Sequence, residues 1–194
     1  VRALSSPLAA NATTLTVHDF ATAVSPDNLG GSAGVGAGNG GTGSGALSAD
    51  TPTGSGNSLK IDYNVGTSDD YAYLFLKLAA PDTATKDVRE YKAISFYVKG
   101  AAGGEFFKVQ ITTSSSASTL KSYVYISDFL TSKTNGGVTT SWQKVTIPLD
   151  NFVNARTYLS TITEVTLVFE NTACAANGSA TSGSVYVDDV ALET

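Results

Sequence analysis

The sequence predicts an all-β fold, a two-sheet antiparallel β-sandwich of jelly-roll type with about nine strands. Three observations carry that expectation. Short segments alternate apolar and polar residues with a period of two, as in Ile94-Ser95-Phe96-Tyr97-Val98-Lys99 and Val185-Tyr186-Val187-Asp188-Asp189-Val190. Turn signals rich in Gly, Asn and Asp separate them, including Gly100-Ala101-Ala102-Gly103-Gly104 and Asn135-Gly136-Gly137. No segment keeps a helical period for three turns.

Taken in order, Val1 to Thr14 is small and weakly apolar and is interrupted by Pro7, which reads as an arm or linker. Residues 15–194 form a single sandwich domain, and Leu15 to Phe20 is its first strand. From Gly30 to Gly45 glycine recurs so often that the run predicts a long exposed loop. A phosphate cradle is not expected there, because no helix pattern or Gly-Lys-Ser/Thr follows. Further strands are expected at Leu59 to Val65, Tyr71 to Leu78, Ala93 to Lys99, Phe106 to Thr112, Ser122 to Ile126, Trp142 to Leu149, Glu164 to Glu170 and Ser184 to Leu192. Helical turns are expected near Leu149 to Val153 and Tyr158 to Ile162. By parity the core holds Leu59, Ile61, Leu74, Leu76, Ile94, Phe96, Val98, Val109, Ile111, Val124, Ile126, Val145, Ile147, Val165, Leu167 and Val187.

Composition excludes several classes of function. A formal net charge of -5 with scattered Lys and Arg gives no basic stripe, so nucleic acid is not an expected partner. No apolar run approaches the roughly 20 residues of a membrane span. Low charge, abundant small hydroxyl residues and the start at Val1 without Met suggest a mature or excised extracellular segment. The lone Cys174 cannot form an internal disulfide and reads as a half-buried loop thiol.

The same parity sends Tyr71, Tyr73, Phe75 and Lys77 away from the core, together with Tyr123, Tyr125 and Tyr97. Outward rings on a sheet suit a sugar, whose apolar C–H face stacks on an aromatic while neighbouring polar groups bond its hydroxyls. Tyr also pairs across strands for purely structural reasons.

The order of Gly56-Asn57-Ser58-Leu59-Lys60-Ile61-Asp62-Tyr63, Asp70-Tyr71, Lys92 to Lys99, Ser141-Trp142 to Phe152 and Val187-Asp188-Asp189-Val190 resembles a family-eleven carbohydrate-binding module. The opening Asp19-Phe20 with Asp27-Asn28-Leu29-Gly30-Gly31 is similar to the start of the same galactose-binding-like jelly rolls. The resemblance implies a calcium-stabilised sandwich whose concave face binds a β-glucan chain and which has no catalysis of its own. It implies cleft roles for Tyr71, for Arg156 and Tyr158 in the loop after Phe152, and for Glu164 and Thr166 on a strand. The ring that the family carries after its first strand has no counterpart in the glycine-rich run. For the calcium, Asp19 and Asp188 lie at opposite chain ends that a jelly roll brings together, with Asp189 as the alternative to Asp188.

Enzymatic constellations are not expected. His18 is the only histidine and reads as a solvent-facing or edge-strand imidazole. Asp69-Asp70 sits in a turn and Asp188-Asp189 in a strand, where local structure accounts for each pair. A different class of function also fits the sequence: a self-assembling extracellular structural protein, a filament or surface-layer subunit. In it residues 1–14, with Leu4, Leu8 and Ala10 in alternation, would add a strand to a neighbouring copy.

Overall fold

The computed structural model describes residues 13–114 and 119–194. Eleven strands run as β1 Thr14–His18, β2 Ala33–Gly38, β3 Thr42–Ser48, β4 Ser58–Asn64, β5 Tyr71–Lys77, β6 Ala93–Gly100, β7 Lys108–Ser114, β8 Thr119–Tyr125, β9 Gln143–Pro148, β10 Ile162–Glu170 and β11 Ser182–Glu193. All pairings between them are antiparallel. One sheet is ordered β3-β4-β11-β6-β9, with β1 also paired to β11, and the other β2-β5-β10-β7-β8. The predicted sandwich is therefore present. The arm read over residues 1–14 lies outside the described residues except for Thr13 and Thr14.

The glycine-rich run is not the expected loop. It forms the hairpin β2–β3, which accounts for the two strands beyond the expected nine and joins the two sheets at their edges. Glycine disfavours strands because it costs backbone entropy and offers no side chain to pack. Here that cost is offset by full ladders, Ala33–Gly38 against Leu76–Tyr71 and Thr42–Ser48 against Asn64–Ser58. Val35 and Leu47 supply the inward apolar contacts.

The core lies between the sheets and contains the side chains that parity selected. Of the expected set, Val124 alone is only partly buried, at the edge strand β8. Phe169 stacks on Tyr63 at 4.2 Å and tilts against Phe107 at 5.2 Å, filling the middle with aromatic volume. Short 3-10 turns occupy Leu149–Asn151, where a helical turn was expected, and Val153–Tyr158, which ends where the second expected turn, Tyr158 to Ile162, was to begin; Ile162 is already the first residue of β10.

Helix α1, Asn171–Asn177, was not expected and closes on Gly178 in the left-handed conformation. It buries Cys174 completely, the thiol lying 3.4 Å from the Phe106 carbonyl oxygen, so Cys174 is a core thiol and not a half-buried loop residue. His18 also departs from expectation. It does lie on an edge strand, yet only 3% of it is exposed. Its ring stacks on Phe20 at 4.0 Å, Nε2 donates to the Val24 carbonyl at 2.9 Å, and Nδ1 accepts from the Phe20 N–H at 3.2 Å.

Candidate carbohydrate-binding face

Alternation in the five-stranded sheet places one residue in two on its outer face, and the register arranges these in rows. Gly36, Tyr73, Val168, Lys108 and Tyr125 form one row across β2, β5, β10, β7 and β8. The next holds Gly34, Phe75, Thr166, Gln110 and Tyr123. Lys77, Glu164, Thr112 and Lys121 follow, and Gly38, Tyr71 and Glu170 lie at the other end.

The result is two aromatic banks with a polar floor. Tyr71, Tyr73 and Phe75 make a ladder along β5, with centroids 6.0 and 6.2 Å apart. Tyr123 and Tyr125 face them from β8, 49% and 38% exposed and 5.7 Å apart edge to face. Three strand spacings separate the banks, roughly 14 Å between backbones. On the floor, Lys108, Gln110 and Thr166 are buried although they belong to the outer face, Lys108 against Tyr123 and Glu170 and Thr166 against Glu164.

The floor is polar yet almost neutral. Lys108 pairs with Glu170 at 2.6 Å and Lys77 with Glu164 at 2.6 Å, and the Thr166 hydroxyl donates to Glu164 at 2.7 Å. Lys108 also lies 4.4 Å from the centroid of the Tyr123 ring. Among the described residues, no acidic side chain pairs with Lys121.

Of the residues named from sequence, Tyr71, Tyr73, Glu164 and Thr166 line one depression of about 410 Å³ with Gln110, Lys121, Val168 and Glu170. Tyr123 and Tyr125 line its neighbour with Phe106, Lys108, Ser127, Glu170 and the face of α1 that carries Thr172, Ala173, Ala176 and Asn177. Glu170 borders both. Lys77 joins the face through Glu164. Arg156 and Tyr158 line neither depression: both lie on the 3-10 turn before β10, and the Arg156 Nε donates to the Asp150 carbonyl at 2.6 Å. Tyr97 belongs to β6, on the other sheet. Lys108, Gln110, Lys121, Val168 and Glu170 were not picked out from sequence. Their signal was the parity opposite to Val109, Ile111, Leu167 and Phe169, and for Lys121 the parity of Tyr123 and Tyr125, but none of them carries a ring.

The model for carbohydrate binding domain 30 matches residues 24–194. The chain belongs to this family. No curated protein matches the sequence. Among solved structures, this family 30 domain is similar to the family 30 module of the cellulosomal cellulase Cel9D-Cel44B of Clostridium thermocellum, with 19% identity, 93% of this chain and 96% of that one covered, and a TM-score of 0.68. The family 11 module of the Lic26A-Cel5E cellulase of Clostridium thermocellum gives 19% identity, 93% and 94% coverage and a TM-score of 0.66. A family 11 module from the same organism, in complex with a β-1,3-1,4-mixed-linked tetrasaccharide, gives 18%, 92% and 94%, and 0.64. These likenesses bear out the jelly-roll sandwich that the resemblance implied.

A second polar cluster lies at the other sheet, where β1 meets β11. The register of β11 slips between Asp188 and Ala191, and Asp189 takes a left-handed φ of 49°. Asp188 is 4% exposed, and burial, with the charges of Asp189 and Asp19 adding to it, pushes its carboxyl up to about 7. Burial and Asp19 raise Asp189 as well. Asp19 is held low instead by the Ala21 N–H and the Asn28 amide. The charges of Asp19, Asp188 and Asp189 thus repel one another. Among the described residues, however, no group of three or more His, Cys, Asp or Glu side chains forms a ligand set, so backbone oxygens or water would complete any coordination.

Proposed function

We propose that this family 30 domain is a secreted, non-catalytic module that docks a single β-glucan chain in the groove between the Tyr71–Tyr73–Phe75 and Tyr123–Tyr125 banks. The observation that carries the reading is the pairing of those banks with a floor whose glutamates are each matched by a lysine. Rings on both sides stack on pyranose faces, while Gln110, Thr166 and the paired charges bond hydroxyls without attracting ions. The oligosaccharide bound to a family 11 module of the same fold supports the choice of a β-glucan.

The geometry also favours binding over hydrolysis. Glu164 and Glu170 are six residues apart on one strand, roughly 20 Å, whereas a glycosidase pair stands about 5 to 10 Å apart. His18 is enclosed and hydrogen-bonded at both ring nitrogens. Asp19 and Asp188, with Asp189 the alternative to Asp188, would hold a structural calcium that ties β1 to β11 and neutralises their repulsion.

Calorimetry and affinity electrophoresis with mixed-linkage glucan, xyloglucan and cello-oligosaccharides test the reading. Saturable binding without release of reducing ends is the expected result. Absence of binding to any of them at millimolar ligand overturns it.

A further inference from the structure

Gly34, Gly36 and Gly38 recur with the period of a strand, so all three lie on the outer face of β2 opposite Phe75, Tyr73 and Tyr71. None of the three has a positive φ, so their backbone is open to any residue. What requires glycine is space. A β-carbon at Gly38 would stand 2.4 Å from Cζ and Oη of Tyr71, and one at Gly36 would stand 2.7 Å from the same atoms of Tyr73. At Gly34 the nearest atom is Cε1 of Phe75 at 3.2 Å. The rings of β5 therefore occupy the volume in which side chains of β2 would project, and they lean over the sheet edge, away from the floor.

We propose that Gly34, Gly36 and Gly38 are positioning residues of the glycan site. By yielding their side-chain space they let the Tyr71–Tyr73–Phe75 bank lie back over β2, which keeps the floor at Gln110, Thr166 and Glu170 open to the sugar chain. A methyl group at Gly36 blocks that seat, and the Tyr73 ring must turn toward Val168, its cross-strand neighbour on the floor side. Covering glycine with an aromatic also stabilises a strand edge, and that purely structural role makes different predictions. The proposal rests on the glucan reading, so its test carries a readout that needs no sugar.

The test compares wild type, Gly36→Ala, Tyr73→Ala and the double variant by thermal melting and by calorimetry with mixed-linkage glucan. Gly36→Ala is expected to weaken binding roughly tenfold while the melt stays cooperative, and to change affinity little once Tyr73 is Ala. Severity should follow the clash, with Gly38→Ala worse than Gly36→Ala and Gly34→Ala mildest; the mild variant keeps the series readable if the severe ones fail to fold. Nuclear Overhauser contacts of the Tyr73 ring are expected with the Gly36 α-protons in the wild type and with the Val168 methyls in Gly36→Ala. Unchanged ring contacts, or an equal loss of affinity with and without the Tyr73 ring, would overturn the positioning role. A wild type that binds no glucan but shows the ring shift would overturn the glucan reading alone.

Discussion

Lys108 and Glu170 join the two floor strands of the groove through an ion pair of 2.6 Å, and the same ammonium sits 4.4 Å over the ring of Tyr123. One side chain thus fixes a hydrogen-bonding carboxylate and steadies the opposite aromatic bank. Lys108→Met keeps the aliphatic stem but leaves Glu170 without a counter-ion. Glucan affinity is expected to fall by about 1.5 to 3 kcal/mol, which is roughly ten- to a hundredfold, while stability changes by about 1 kcal/mol or less. Calorimetry beside a denaturant melt measures both, and an affinity equal to wild type would remove Lys108 from the site.

The two banks should contribute separately. Tyr73→Ala and Tyr125→Ala each remove one partly exposed ring, with an expected loss of about 1 kcal/mol, roughly five- to tenfold in Kd, and little change in fold. Tyr97→Ala, on the other sheet, is the control and should bind as the wild type does. Equal losses in all three would place the glucan elsewhere.

At Asp188 the pH dependence has a definite sign. The carboxyl holds its proton up to about pH 7 when folded, against 3.8 as the ordinary value. The stability gained from that extra proton is fully present below about 3.8 and lost as pH rises to about 7. In EDTA, the Tm of wild type should fall relative to that of Asp188→Asn between pH 4 and 8. Calcium at pH 8 should then restore the wild type and leave the variant unmoved. Parallel curves with and without calcium would reject the metal.

Burial pushes the Cys174 thiol up to about 11, from an ordinary 9.0. That shift alone lowers the thiolate population about a hundredfold at pH 8, and the enclosure by α1 lowers access further. A chromogenic disulfide reagent should therefore leave the folded domain unlabelled over hours and label it at once in guanidinium. Rapid labelling without denaturant would mean that α1 opens readily.

Much of the site could be read from residue order. Alternation along Tyr71-Ala72-Tyr73-Leu74-Phe75-Leu76-Lys77 fixes which side chains leave the core, since a strand turns one residue in two to each face. The rings of β5 and Lys77 followed from it, and the same alternation gave Tyr123 and Tyr125, whereas Glu164 and Thr166 came only from the family resemblance. Parity says nothing of which strands neighbour one another, so the floor residues Lys108, Gln110 and Glu170 could not be joined to the rings. Nor could Tyr97 be told from Tyr123, although one faces the groove and the other belongs to the opposite sheet.

By itself the sequence determined the period-two core, the strand positions and the outward aromatics, because each depends only on local backbone geometry. Tertiary structure decided what glycine means between Gly30 and Gly45. Intrinsic preference argued for a loop, but ladders to β5 and β4 supplied hydrogen bonds that no local rule contains, and the Tyr71 and Tyr73 rings filled the space left by missing side chains. The burial of Cys174 was decided in the same way, by its packing against Phe106 from a distant part of the chain, whereas His18 is enclosed by the nearby loop that brings Phe20 and Val24 onto its ring.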